Sequence, residues 1–274
     1  MQQPDPDSFL ISAESLQQQL GDSQLLPVFV GGSESFRAGH IPGSAQVQPA
    51  ALVCGEAPAA GKIADADNLA HVFSSIGLQA SDTVVAYDDE GGGWAGRLIW
   101  TLDVIGHSNY RLLDGGILAW RAAGLPVSSH SEARPASDYA VHIDKEQLVS
   151  AESIIESLGD ENFAIWDARS AAEHRGERAL AARAGRIPGA RNVDWLELMD
   201  RHNNLQLKPL EQIAALLQER GLNSTQRIVT HCQSHHRSGL SYVVGKLLGL
   251  DIRAYDGSWS EWGNREDTPV ESDA

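Results

Sequence analysis

Cysteine is scarce in this chain: 274 residues contain two, Cys54 and Cys232. Two thiols cannot build a disulfide framework and suit a reducing cytoplasm. Basic residues are also in deficit, 21 Lys and Arg against 37 Asp and Glu, for a formal net charge of −16. That balance argues against nucleic acid and anionic membranes as partners. No uncharged apolar run approaches the length of a membrane span. The opening Met1-Gln2-Gln3-Pro4-Asp5 has neither a basic segment nor an apolar core, so no secretory signal is expected. What is left is an ordinary globular composition, at a length that favours two domains.

The chain is written twice. Val30-Gly31-Gly32-Ser33 leads to His40-Ile41-Pro42-Gly43, as Asp167-Ala168-Arg169-Ser170 leads to Arg186-Ile187-Pro188-Gly189. The apolar run before Asp88 parallels the run before Cys232, and Asp114-Gly115-Gly116 parallels Asp256-Gly257-Ser258. Ile41 and Ile187, Asp88 and Cys232, and Trp120 and Trp262 lie 146, 144 and 142 residues apart. Such slow drift fits a duplicated domain with a few small insertions.

Each half alternates strand and helix. Strands are expected over 26–30, 83–87 and 110–113, with helices over 66–75 and 94–105. The second half matches, with strands over 162–166, 227–231 and 251–255. Its helices cover 209–220 and 238–248, with a short one around Trp259. The pattern implies an α/β fold of two tandem domains, each a parallel sheet with helices on both faces. The expected divisions are residues 1–127, a polar nonperiodic linker over 128–143, and residues 144–274.

In such folds the ligand crevice lies beyond the carboxyl ends of the strands. Cys232-Gln233-Ser234-His235-His236-Arg237 stands there, between a strand and a helix. Backbone N–H groups and the helix dipole at such a turn favour negative charge, which makes a thiol a nucleophile. The loop's N–H groups are expected to point at the sulfur. His231, His235, His236 and Arg237 form a cationic exception in an acidic chain. Arg237, always charged, is the candidate anion holder. His235 and His236 add positive potential at mildly acid pH, or hydrogen bonds when neutral. Gln233, Ser234 and Ser238 complete the substrate-binding candidates.

Asp88, the counterpart of Cys232, is no sulfur nucleophile, and Asp89 and Glu90 after it would repel an anion. The first half is therefore expected to be non-catalytic and to wall the crevice. Gly91-Gly92-Gly93 lacks the lysine and hydroxyl of a phosphate loop. Cys54, without cationic neighbours, reads as structural, His231 as packed, and Asp167 with Arg169 as an internal salt bridge. The adjacent His235 and His236 diverge, and no other spacing supports a metal. Trp195 is a candidate pocket wall.

Together these residues resemble the tandem rhodanese sulfurtransferases over essentially the whole chain. The resemblance implies an active site between the two domains and a Cys232 persulfide linking two half-reactions. It implies thiosulfate as donor, with release of sulfite, and cyanide or a thiol or dithiol as acceptor, without a cofactor. The loop matches neither the Cys-Arg-Lys-Gly-Val-Thr nor the Cys-Gly-Ser/Thr-Gly-Val-Thr pattern of the family. It is similar to a bacterial subgroup, associated with thiosulfate, whose loop reads Cys-Gln-x-His-His-Arg-Ser. Glu173 stands where many members carry a substrate-binding arginine. That disfavours the alternative, mercaptopyruvate, whose carboxylate needs a cationic clamp, unless Arg175 or Arg183 replaces it. A second alternative is a cysteine phosphatase of the same fold, but that cradle has five residues between Cys and Arg, and this loop has four. A duplicated chain that buries its own domain interface is expected to be a monomer.

Overall fold

The computed structural model describes residues 9–130 and 134–273, so 131–133 of the expected linker lie outside the described residues. The first half runs β1 (Leu10–Ile11), α1 (Ala13–Gln19), β2 (Leu25–Val30), α2 (Ser33–Ala38), β3 (Ala45–Val47) and α3 (Ala66–Ser75). It continues through β4 (Thr83–Tyr87), α4 (Gly93–Val104), β5 (Tyr110–Leu113) and α5 (Gly116–Ala122). Its sheet has the order β1-β5-β4-β2-β3 with every pair parallel.

The second half contains α6 (Ala151–Ser157), β6 (Phe163–Asp167), α7 (Ala171–Arg175), β7 (Arg191–Asn192), β8 (Met199–Asp200), β9 (Gln206–Leu207) and α8 (Leu210–Glu219). It closes with β10 (Arg227–His231), α9 (Arg237–Leu247), β11 (Asp251–Ala254) and α10 (Ser258–Trp262). Its sheet is again all parallel, in the order β11-β10-β6-β7. The small antiparallel pair β8–β9 was not expected from the sequence, because two-residue strands carry no periodicity.

The elements form where local chemistry favours them. β4 and β10 are buried along nearly their whole length, as strands covered on both faces must be. Asp65 caps α3 by accepting the Asn68 N–H at 2.8 Å. The linker is not a loose strap: Arg134 donates to Asp82 at 2.9 Å and to the Leu25 carbonyl at 2.7 Å.

One apolar cluster runs through both halves, joining Leu98 and Trp100 of α4 to Leu240 and Val244 of α9. The helices cross at glycine. A Cβ on Gly96 would lie 2.4 Å from the Gly239 carbonyl oxygen, and one on Gly239 2.4 Å from that of Gly93. Each helix is opened by the loop following its domain's central strand, so this close crossing brings the Asp88 and Cys232 loops together. Two equivalent aspartates then clasp the domains reciprocally. Asp114 accepts the Leu207 N–H and Asp256 accepts the Ile63 N–H, both at 2.8 Å.

Candidate active site

β10 ends at His231 and α9 begins at Arg237, leaving Cys232 to His236 as the connecting loop. Cys232 is 1% exposed. The loop is tied to the start of α10: the Trp259 N–H donates to the Cys232 carbonyl at 3.0 Å and the Ser260 N–H to that of Gln233 at 2.9 Å. The Ser258 hydroxyl accepts the N–H groups of Cys232 and His235 at 3.3 and 3.0 Å. Both His235 and Ser258 take left-handed φ values of 52°, a conformation held only when the surroundings determine it. Two of the loop amides expected to face the sulfur are therefore committed to Ser258 instead. The amide and hydroxyl of Ser238, in the first turn of α9, do bond the sulfur.

Burial alone would push the Cys232 thiol up. The positive charge of Arg237, the two Ser238 hydrogen bonds and His236 outweigh it and bring the thiol down to about 7. A large thiolate fraction is thus present at neutral pH. His235 Nδ1 lies 2.8 Å from the Ser238 hydroxyl. That hydroxyl has one proton; giving it to the sulfur leaves its oxygen to accept from His235 Nδ1–H. The tautomer is assigned by this network.

The expected cationic patch is half neutral. His235 is fully buried, edge-on to Trp100 at 4.5 Å, and burial holds it well below the usual histidine range. His231 is also fully buried, as expected for a packed residue, and burial pulls it to about 4. Desolvation disfavours the imidazolium in both.

Arg237 has a partner the sequence did not reveal. Its two terminal nitrogens lie 2.7 and 2.8 Å from the two oxygens of Glu173. Glu173 also accepts the Ser170 hydroxyl at 2.7 Å, in the capping box that opens α7. Burial works against this carboxylate, yet Arg237 and Ser170 lower it to about 2. One edge of the guanidinium is thus taken by Glu173, using two of its five N–H donors, while its charge favours the Cys232 thiolate. Arg175 pairs with Glu177 at the surface, and Arg183 binds the carbonyls of Thr268 and Trp262 at 2.7 and 2.8 Å. Neither substitutes for the arginine absent at 173.

His236 meets the first domain. Its Nε2 bonds the carboxylate of Glu90, and its ring stacks on Trp94 at 4.6 Å and lies 5.6 Å from Trp195. Burial lowers the pKa of this imidazole, but Glu90 raises it above the usual value overall. Gln233 donates to the Leu180 carbonyl at 2.9 Å, and the Ser234 backbone packs on Gly61, where a Cβ would fall 2.3 Å from its oxygen. These two residues seat the loop. Asp167 and Arg169 form the expected internal pair at 2.7 Å. Cys54 is exposed rather than packed.

The first domain's loop is built differently from the expectation of mere repulsion. The Asp88 carboxyl accepts the N–H groups of Gly92 at 2.8 Å and Ala95 at 3.0 Å, filling the head of α4 with its own acceptor, although burial and Glu90 push its pKa up. Sequence reasoning missed Glu90, Trp94, Arg97 and Ser258. Arg97, fully buried, donates to the carbonyls of Gly61 at 2.7 Å and Leu52 at 3.0 Å. Burial brings it down to about 10, while Asp256 and Cys232 favour its charged form. Glu90 was read from the sequence only as a charge that would repel an anion, and its pairing with His236 was not.

The family described as "Rhodanese-like domain" matches residues 12–123 and again 150–265. The chain is 43% identical over 263 residues to the thiosulfate sulfurtransferase of Azotobacter vinelandii, covering 96% of both. It is 40% identical to the thiosulfate sulfurtransferase of Pseudomonas aeruginosa, with the same coverage. Among solved structures it is similar to the anaerobic ergothioneine biosynthesis enzyme from Chlorobium limicola in complex with trimethyl histidine. There the TM-score is 0.84 at 23% identity, covering 97% of this chain and 71% of that one, a likeness of fold.

Proposed function

The chain belongs to the rhodanese-like family, carrying its domain twice, and from that membership we propose that it is a thiosulfate sulfurtransferase working through a persulfide on Cys232. The observation that carries the reading is the thiol itself. It is buried, lowered to about 7, bonded by Ser238 and set in the positive potential of Arg237 and His236.

In the first half-reaction the Cys232 thiolate attacks the outer sulfur of thiosulfate. A new S–S bond forms as the old one breaks, and its electron pair leaves with sulfite. In the second, cyanide or a thiolate attacks the outer sulfur of the persulfide. Thiocyanate or an acceptor persulfide leaves, and the Cys232 thiolate returns. No resident cofactor takes part, and ping-pong kinetics follow. Ser238, with His235 behind it, holds the anionic sulfur in both states.

The donor assignment is supported by the relatives, which are thiosulfate sulfurtransferases. The two free thiols are in keeping with a reducing cytoplasm. Both walls of the crevice come from one chain, which supports a monomer as the working unit. The test is thiocyanate formation from thiosulfate and cyanide, present in the wild type and lost in Cys232→Ser. Equal rates in the two proteins would overturn the proposal.

A further inference from the structure

The domain without a nucleophile reaches the loop through Trp94 and Trp100, and with a charge through Glu90. Glu90 lies two residues past Asp88 and holds His236, four residues past Cys232. The contact is shaped from several directions. Gly93 leaves room for it: a Cβ there would fall 2.6 Å from His236 Nε2. Trp94 lies nearly parallel to the imidazole at an interplanar angle of 24°, and Trp195 lies 5.6 Å away, tilted by 58°. A cation stacked on tryptophan and paired with a carboxylate is favoured in its charged form.

We propose that Glu90 is a positioning residue for sulfur transfer: it fixes His236 as an imidazolium beside the Cys232 loop. The imidazole belongs to that loop and is among the groups that stabilise the thiolate, whereas Glu90 reaches it from the other domain. The pair therefore acts on the sulfur as a net positive end, although its formal charges cancel.

The other groups around the imidazole do not replace Glu90. From its own loop come Cys232 and the buried, neutral His235. Asp88 spends its oxygens on the head of α4. Arg237 is paired with Glu173. Asp194 and Glu197 cap the turn that carries Trp195.

The inference rests on Cys232 as the nucleophile, and iodoacetamide reads its thiolate whether or not thiosulfate is the donor. Alkylation at Cys232 is followed against pH by peptide mass spectrometry in the full-length chain, which separates it from the exposed Cys54. In Glu90→Gln the reactivity midpoint moves to higher pH, and the rate at pH 7 falls about 3- to 10-fold, as the thiolate population shrinks with the rising thiol pKa. Glu90→Asp restores part of it. In a His236→Gln background, Glu90→Gln adds nothing, because its effect passes through the imidazole. An unchanged midpoint in Glu90→Gln, or a further displacement in the double variant, overturns the proposal. A displaced midpoint that comes only with a lowered thermal unfolding temperature reports a fold defect and counts equally against it.

Discussion

Arg237 places both terminal nitrogens of its guanidinium on the carboxylate of Glu173, at 2.7 and 2.8 Å, and Glu173 is 2% exposed. Five residues beyond the only buried cysteine, a cation is thus neutralised at short range by a carboxylate at the start of a neighbouring helix. Its charge still reaches the sulfur, because it is among the causes that lower the Cys232 thiol.

Glu173→Gln releases Arg237. The expected result is a several-fold lower KM for thiosulfate and measurable turnover of 3-mercaptopyruvate, read by steady-state kinetics with both donors. Stability falls by about 1–3 kcal/mol because a mostly buried charge loses its partner. Unchanged KM values for both donors would show that Glu173 does not govern Arg237.

The pH dependence of Cys232 follows from a pKa lowered to about 7. The thiolate is the reactive form, so alkylation and kcat/KM rise with pH through a midpoint near 7 and level off above it. Stopped-flow alkylation across pH 5 to 10 measures this. A midpoint at the ordinary thiol value, about 8.5, contradicts the assigned electrostatics.

Acid acts on the same pair. Glu173 has a folded pKa of about 2, below its ordinary value of 4.5. A depressed carboxylate contributes stability above its unfolded pKa and loses it as pH falls through the window from 4.5 to about 2. The full difference corresponds to about 3 kcal/mol. Urea unfolding at pH 5 and pH 3 should show a smaller acid loss in Glu173→Gln than in the wild type. Equal losses would place the acid sensitivity elsewhere, with the buried Asp167 the next group to examine.

Gly96→Ala tests the crossing of α4 and α9. Its Cβ would meet Gly239 backbone at 2.4 Å, and backbone cannot swing aside as a side chain can. Thermal unfolding should show about 2–3 kcal/mol of destabilisation, with sulfur transfer reduced as the loops separate. A wild-type melting temperature would mean the crossing is looser than described.

Most of the architecture was legible in the sequence because duplication doubles the signal. The strand before Asp88 and the strand before Cys232 interpret one another. Run lengths and glycines set the longer strands and helices, while short elements such as β1, β3, β7, β8 and β9 went unread. Cys232 was legible from its place at a strand end. What escaped was the partner of each cation. Glu173 is 64 residues from Arg237, and Glu90 is 146 from His236. No local pattern brings such residues together; only the crossing of α4 and α9 at Gly96 and Gly239 joins Glu90 to His236. Burial was equally invisible: His235 and His236 are neighbours in sequence, yet burial holds one well below the usual histidine range while Glu90 raises the other above it.

The central claim is that Cys232 carries the transferred sulfur. Intact-protein mass spectrometry after incubation with thiosulfate measures it directly. The account predicts one added sulfur atom, mapped to Cys232, absent from Cys232→Ser, and removed by cyanide with release of thiocyanate. An unchanged mass in the wild type, or an adduct that persists in Cys232→Ser, would contradict it.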